Sequence, residues 1–313
     1  MKNDNRDKVP LCRRLKCISD MTTQLASRGT LVRSQEQLPQ PGGVQPLEAF
    51  CAATNMSYLS IGAAGPAVVF IHGWSSFKEI WWSTLLALAP HVRAFAPDMP
   101  GHGDTPLQGS VKMRQVAARM VEFCAARHLD SFVLVGHSMG GNVALELALE
   151  RPDLLERLVL VDPAAQPADM PSYTRSYLSP LSGWATLRAS MALARPLNII
   201  AQRVPHAHGG GLVRPAIRRA SYMARHDADA LRALLDSMFA NPIGPRMAEV
   251  RVLTLVISGE FDPLVPPALS RQVAQAIPGA RYAVVRGAAH NPMDERPREF
   301  SRILLDFLQP TII

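Results

Sequence analysis

The sequence predicts an α/β protein in which helices flank a doubly wound, mostly parallel β-sheet, with a helical cap inserted late in the chain. Several short runs are apolar at every position, which is typical of strands buried on both faces. Helix-length segments lie between several of these runs, and such alternation favours a parallel sheet. A long interruption of the alternation, from residue 163 to residue 249, predicts the insertion.

The predicted elements follow one another along the chain with turn residues between them. The predicted strands are Val68–Ile71, Val92–Ala96, Phe132–Val135, Leu158–Val161, Leu253–Ile257 and Tyr282–Val285. The predicted helices cover 76–89, 111–127, 140–150, 266–277 and 296–308. A glycine or an aspartate closes each strand, so polar loops gather at the carboxyl edge of the sheet, where open α/β sheets bind ligands.

These patterns divide the chain into four segments. Residues 1–45 are polar and rich in Gln, Arg and Pro, which predicts a flexible extension. Residues 46–162 and 250–313 form the two parts of the core, and 163–249 form the cap, which we expect over the carboxyl ends of the strands. In the extension, a short basic stretch with apolar residues at helical spacing leaves open a membrane-surface or partner helix, although a frayed extension is favoured.

Composition excludes several classes of protein. The 33 basic residues outnumber the 26 acidic ones, which gives a net charge of +7. The basic residues are scattered along the chain, so nucleic-acid binding is not expected. No apolar run approaches the roughly 20 residues of a membrane span, and no stable membrane insertion is expected. The four cysteines, Cys12, Cys17, Cys51 and Cys124, show no metal-binding spacing, which favours a reducing, cytoplasmic location.

A glycine-flanked serine follows the third predicted strand, in Gly136-His137-Ser138-Met139-Gly140-Gly141. In a G-x-S-x-G turn between a strand and a helix, the glycines remove side chains that would collide, and the serine hydroxyl is presented at the tip of the strand. The helix that follows favours negative charge at its N-terminus. Ser138 is therefore the candidate nucleophile.

A serine needs a base, and the base needs an orienting acid. His290 follows the last predicted strand, and Asp262 follows the strand before it, so the chain order is Ser, Asp, His. Asp162, after another strand, is the second candidate for the acid. Asp262 could instead cap the helix that begins near Pro266.

With these motifs together, residues 47–310 resemble the α/β-hydrolase fold superfamily, in its capped serine-hydrolase form. The motifs that carry the resemblance are His72-Gly73-Trp74, Asp98-Met99-Pro100-Gly101-His102-Gly103, the serine turn, Gly259-Glu260-Phe261-Asp262 and the loop of His290. The resemblance implies an eight-stranded sheet and an oxyanion hole made by the backbone N–H groups of Trp74 and Met139. It implies structural roles for His72, Asp98 and His102, and neither a cofactor nor a metal.

The reaction class follows in part from the nucleophile. Relatives of the superfamily that open epoxides or remove halogens carry aspartate where Ser138 stands, so those activities are excluded. We expect a carboxylesterase-like enzyme for a small-molecule ester of small or medium acyl chain. A C–C bond or lactone hydrolase remains open, although Asn291 replaces the Trp usual in C–C hydrolases. A hydrolase-like ligand receptor with slow turnover also remains open.

The cap carries ten arginines and no lysine. These arginines could favour substrates that bear a carboxylate, or they could lie on the solvated outer face of the cap. The second interpretation is favoured, because arginine is seldom buried without a partner.

Overall fold

The structure, a computed structural model, describes residues 45–201, 222–223 and 226–309. The predicted extension lies outside these ranges except for residue 45, as does part of the predicted cap. The described residues form one eight-stranded sheet in the order β1-β2-β4-β3-β5-β6-β7-β8. The strands are β1 Leu47–Cys51, β2 Met56–Ile61, β3 Ala67–Ile71, β4 Arg93–Pro97, β5 Phe132–His137, β6 Leu155–Val161, β7 Thr254–Gly259 and β8 Arg281–Val285.

The sheet is mixed but mostly parallel. The β1–β2 and β2–β4 pairs are antiparallel, and every pair from β4 to β8 is parallel. The strand order reverses direction between β3 and β5, and such a switch point leaves a crevice at the carboxyl edge of the sheet. The predicted fold class is confirmed.

Helices cover the sheet and form much of the described part of the segment between β6 and β7. The α-helices are α1 Trp82–Leu88, α2 Met113–Ala126, α3 Met139–Glu150, α4 Gly183–Ala201, α5 Ala228–Phe239, α6 Pro267–Ala276, α7 Pro292–Glu295 and α8 Pro297–Leu308. Short 3₁₀ helices cover Lys78–Trp81, Pro152–Leu154, Pro167–Asp169, Ser172–Leu178 and Gly244–Glu249. The predicted helix over 76–89 is thus divided into a 3₁₀ turn and α1, and the predicted helix over 296–308 begins after Arg296, the N-cap of α8.

Alternating residues of the central strands fill two cores, one on each face of the sheet. Val69, Ile71 and Leu134 belong to the core beneath α2 and α3, whereas Val68 and Val133 belong to the opposite core. The continuous apolar runs are explained by this double burial. One prediction is wrong: the apolar run over Tyr282–Val285 predicts a strand buried on both faces, yet β8 is an edge strand and only its last residue is fully buried.

The described part of the insertion contains α4 and α5 between β6 and β7. The Asp227 carboxylate caps α5 by accepting a hydrogen bond of 2.8 Å from the Ala230 N–H. Among the described residues, no helix is long and apolar enough to cross a membrane.

Candidate active site

Ser138 stands in a strained turn between β5 and α3. Its φ of 54° and ψ of −117° are unfavourable for a residue with a side chain, and its N–H donates to the Val161 carbonyl at 2.9 Å. A Cβ atom at Gly136 would lie 2.4 Å from the Gly140 carbonyl oxygen, and one at Gly140 would lie 2.4 Å from the His72 carbonyl oxygen. Both glycines are therefore required for the close backbone approach that this turn makes.

The structure brings together the three side chains that the sequence selected. His290 Nε2 lies 3.1 Å from Ser138 Oγ, and His290 Nδ1 lies 2.7 Å from Asp262 Oδ2. Ser138 follows β5, Asp262 follows β7 and His290 follows β8, so the carboxyl ends of parallel strands supply all three. The geometry is that of a hydroxyl whose proton a histidine can accept while a carboxylate holds the other ring nitrogen.

The two candidate acids lie side by side but differ in their donors. Asp262 Oδ1 accepts backbone N–H bonds from Leu264 at 2.8 Å and Val265 at 3.0 Å, in addition to the His290 contact on Oδ2. Burial opposes ionisation of Asp262, but the neighbouring His290 and these hydrogen bonds lower its pKa below the usual range. Burial, together with the charge of Asp262, raises the pKa of Asp162 well above its usual value.

Two further side chains, which the sequence did not single out, hold the loop of His290. The buried His137 Nε2 lies 2.7 Å from the His290 carbonyl oxygen. Because a carbonyl can only accept, His137 carries its proton on Nε2. Burial, and next the neighbouring His290, lower the pKa of His137 well below the usual range, so the ring stays neutral. Glu295 Oε2 accepts the Ala289 N–H at 2.6 Å.

The predicted oxyanion-hole residues flank Ser138. Met139 is the first residue of α3, where backbone N–H groups have no acceptor within the helix. Trp74 lies in the loop after β3 and lines the same cavity as Ser138. Its indole N–H donates to the Leu231 carbonyl of α5 at 2.6 Å, a contact that ties this loop to the insertion.

His72 and Asp98 have the structural contacts expected of them. His72 Nδ1 donates to the Gly73 carbonyl at 2.8 Å, its Nε2 accepts the Met99 N–H at 3.0 Å, and burial lowers the pKa of His72 to about 3. Asp98 accepts the backbone N–H and the ammonium group of the buried Lys78. His102, also buried, accepts a backbone N–H from the neighbouring loop.

A cavity of about 570 Å³ opens above Ser138. The insertion supplies much of its lining: Met170, Tyr173, Thr174, Ser176, Tyr177, Met223, Leu235, Met238 and Phe239. No arginine of the described residues lines it. Arg188 lies over the Trp184 ring and beside Asp229, with all three side chains substantially exposed. The solvated location is therefore supported for Arg188, and no described arginine lies in the cavity wall where it would hold a carboxylate.

One cluster of possible metal ligands occurs at the site. Nitrogen or oxygen atoms of His137, Asp162 and His290 lie within 4.8 Å of one another. Both His290 nitrogens already face protein partners, Ser138 and Asp262, so a metal would have to displace one of them. The contacts of the cluster are those of a hydrogen-bonded network rather than of a metal centre.

A strained serine turn at the edge of a mostly parallel sheet, faced by a histidine and an aspartate, is the arrangement of an α/β hydrolase. A sequence profile described as "Alpha/beta hydrolase family" matches residues 68–303. The chain belongs to the alpha/beta hydrolase family.

Particular relatives include esterases. The chain is 30% identical over 259 residues to the pimeloyl-acyl-carrier protein methyl ester esterase of Aeromonas hydrophila, covering 78% of this chain and 96% of that protein. An esterase structure from Thermogutta terrifontis superposes with a TM-score of 0.65 at 23% identity, over 85% of this chain and 98% of the other. An enzyme that degrades N-acyl homoserine lactones superposes with a TM-score of 0.63 at 25% identity, over 80% and 96% of the two chains.

Proposed function

We propose that this alpha/beta hydrolase cleaves a carboxylic ester of small or medium acyl chain through an acyl-enzyme on Ser138. The observation that carries the proposal is the continuous chain of contacts from Ser138 Oγ through both nitrogens of His290 to Asp262. Such a chain activates a hydroxyl that is otherwise inert at neutral pH.

In the proposed mechanism, Ser138 Oγ attacks the acyl carbon while His290 Nε2 takes its proton. Asp262 holds the proton of Nδ1 and stabilises the imidazolium. The oxyanion accepts hydrogen bonds from the N–H groups of Trp74 and Met139, and such a donor is typically worth about 10²–10³ in kcat. His290 then protonates the departing alcohol and later activates the water that releases the acid.

The proposed substrate class rests on the cavity. Its volume of about 570 Å³ and its thioether and aromatic lining suit a neutral acyl chain. We assign the insertion over 163–249 the role of a cap that shapes this cavity, between the two parts of the core over 46–162 and 250–313. We propose a cytoplasmic location, to which the free, buried Cys51 and Cys124 are suited.

The proposal is tested by hydrolysis of p-nitrophenyl esters from acetate to palmitate. We expect turnover that is fastest below palmitate, and a loss of at least about 10⁴-fold in kcat in Ser138→Ala. Ser131 is an exposed serine directly before β5, and Ser131→Ala is the matched control, which should leave kcat unchanged. Turnover of all esters by Ser138→Ala at the wild-type rate would exclude Ser138 as the nucleophile.

The alternative is lactone hydrolysis on the same residues, which the likeness to the lactone-degrading enzyme favours. An N-acyl homoserine lactone, followed by titration of the acid formed, separates the two substrates. Turnover of the lactone at a far higher kcat/KM than of any ester would move the proposal to lactones. Tight binding without turnover of either would indicate a receptor.

A further inference from the structure

Asp162 is a buried carboxyl group for which the proposed mechanism has no use. It directly follows β6, and its φ of 43° is unfavourable for a residue with a side chain. Its N–H donates to the Ile257 carbonyl, and its Oδ1 accepts the Gly259 N–H at 3.0 Å, so both backbone and side chain are held against β7. This position places a fully buried carboxyl at the centre of the site.

The second oxygen of Asp162 lacks a conventional donor. No N–H or hydroxyl among the described residues reaches Oδ2, although the atom is buried. The carboxyl group instead interacts with the carboxyl of Asp262, which is itself buried. Two ionised carboxylates in such contact repel each other strongly, whereas a single shared proton turns the contact into a hydrogen bond.

The distribution of donors decides which aspartate keeps the proton. Asp262 receives three hydrogen bonds, from the N–H groups of Leu264 and Val265 and from His290. Asp162 receives one, from Gly259. Hydrogen bonds to a carboxylate favour its ionised form, so the charge belongs on Asp262 and the proton on Asp162. The nearby Glu295 adds further negative charge that opposes ionisation of Asp162.

We propose that Asp162 is a positioning residue that remains protonated and donates a hydrogen bond to the Asp262 carboxylate. This inference rests on the proposed function, because it assigns to Asp262 the role of orienting His290. The donated hydrogen bond fixes the carboxylate so that Oδ2 faces His290 Nδ1, and it withdraws part of the negative charge that His290 would otherwise meet.

The inference predicts opposite responses of the two aspartates to asparagine. Asparagine at 162 offers an oxygen to the Gly259 N–H and an N–H to Asp262, so it can replace a protonated carboxyl. Asparagine at 262 cannot accept the proton of His290 Nδ1 in the same way and favours the wrong tautomer, which in a serine protease costs about 10⁴ in kcat. Asp162→Ala removes the donor altogether.

The experiment measures kcat, KM and the pH profile of kcat/KM for Asp162→Asn, Asp162→Ala and Asp262→Asn, with exposed Asp130→Asn as control. We expect Asp162→Asn to stay within about 3-fold of wild type in kcat and Asp262→Asn to lose about 10³–10⁴-fold. Asp162→Ala should lose about 10- to 100-fold in kcat with little change in KM, which corresponds to one hydrogen bond at a charged group. Its acidic limb should move to higher pH, because the Asp262 carboxylate then keeps the negative charge that the donated hydrogen bond would withdraw.

A loss in Asp162→Asn as large as that in Asp262→Asn would overturn the inference, since it would mean that Asp162 works as an ionised acid. An Asp162→Ala variant with wild-type kcat and an unmoved pH profile would overturn it as well. If Asp162→Ala does not fold, the comparison of kcat between Asp162→Asn and Asp262→Asn decides whether Asp162 works as an ionised acid.

A second readout separates this inference from the proposed substrate. The rate at which a fluorophosphonate labels Ser138 depends on the activated hydroxyl and not on the natural ester. If the labelling rates fall in the same order as expected for kcat, from Asp162→Asn through Asp162→Ala to Asp262→Asn, the inference is supported even if no ester is hydrolysed. An absence of labelling in the wild type would remove the proposed nucleophile, and the inference would fall with it.

Discussion

His137 offers the sharpest test of how the site is held. Its Nε2–H donates to the His290 carbonyl at 2.7 Å, and its ring centroid lies 4.8 Å from that of His290. Replacing it by Phe keeps an aromatic ring of similar size and removes the donor. The His290 carbonyl then loses its partner in a partly buried loop, and a polar group left unsatisfied in a buried position costs about 1–3 kcal/mol.

If the whole cost falls on the geometry of His290 in the transition state, kcat/KM drops by about 5- to 150-fold, since about 1.4 kcal/mol corresponds to a factor of ten. His137→Gln can place an amide N–H near the same carbonyl, so we expect partial recovery. Because the pKa of His137 is lowered by burial and by His290, the ring stays neutral and does not take up a second proton near neutral pH. The pH profile of His137→Phe should therefore keep its limbs.

The assay is steady-state ester hydrolysis by wild type, His137→Phe and His137→Gln, with thermal unfolding of each protein. A Phe variant that is fully folded and as active as wild type would refute the reasoning. A Gln variant no better than Phe would show that ring packing, and not the hydrogen bond, holds His290.

Two further predictions concern stability. Trp74→Phe removes the hydrogen bond from the indole to the Leu231 carbonyl, so urea unfolding should give a free energy lower by about 0.5–1.5 kcal/mol. We also expect a higher KM for long esters, and an unchanged KM would mean that the contact does not shape the cavity. Lys78→Met leaves the buried Asp98 carboxylate without its ammonium partner and should cost about 3–5 kcal/mol. The exposed ion pair between Arg302 and Asp306 serves as the comparison. Arg302→Met should lower the free energy of unfolding by at most about 0.5 kcal/mol.

The sequence predicted the parallel part of the sheet because its strands are buried on both faces. Residues 68–71 and 132–135 are apolar at every position and fully buried. The first two strands lack this signal for different reasons: β2 is almost fully buried, but Ser57 and Ser60 interrupt its apolar sequence, whereas β1 is largely exposed. In β1, only Cys51 of Leu47–Cys51 is fully buried, and Phe50 is 56% exposed. Such an edge strand has the composition of a loop, so only the resemblance to known hydrolases implied an eight-stranded sheet.

The sequence could predict those residues of the candidate site that are recognised by their type and by their position directly after a strand. Ser138, Asp262 and His290 each follow a strand of the parallel sheet, and the structure places them within hydrogen-bond distance. The relation between Asp162 and Asp262 could not be predicted in this way, because both are aspartates that follow strands. It depends on how many N–H groups reach each carboxyl. Most of these donors are backbone N–H groups, which every residue type except proline provides, so no sequence pattern reveals them. The contact of His137 with a backbone carbonyl is hidden for the same reason.

The support of the proposed catalytic residues and the shape of the cavity come from different parts of the chain. His137 and Glu295, which hold the loop of His290, belong to the sheet and its flanking helices. Half of the residues that line the cavity belong to the insertion, where Met170, Met223 and Met238 are flexible side chains that fit varied apolar groups. Substitutions among these methionines should therefore change the preferred ester through KM, while the supporting contacts keep the geometry of the reacting atoms. In this arrangement, substitutions in the insertion can change the preferred substrate without disturbing the edge of the sheet that would carry out the chemistry.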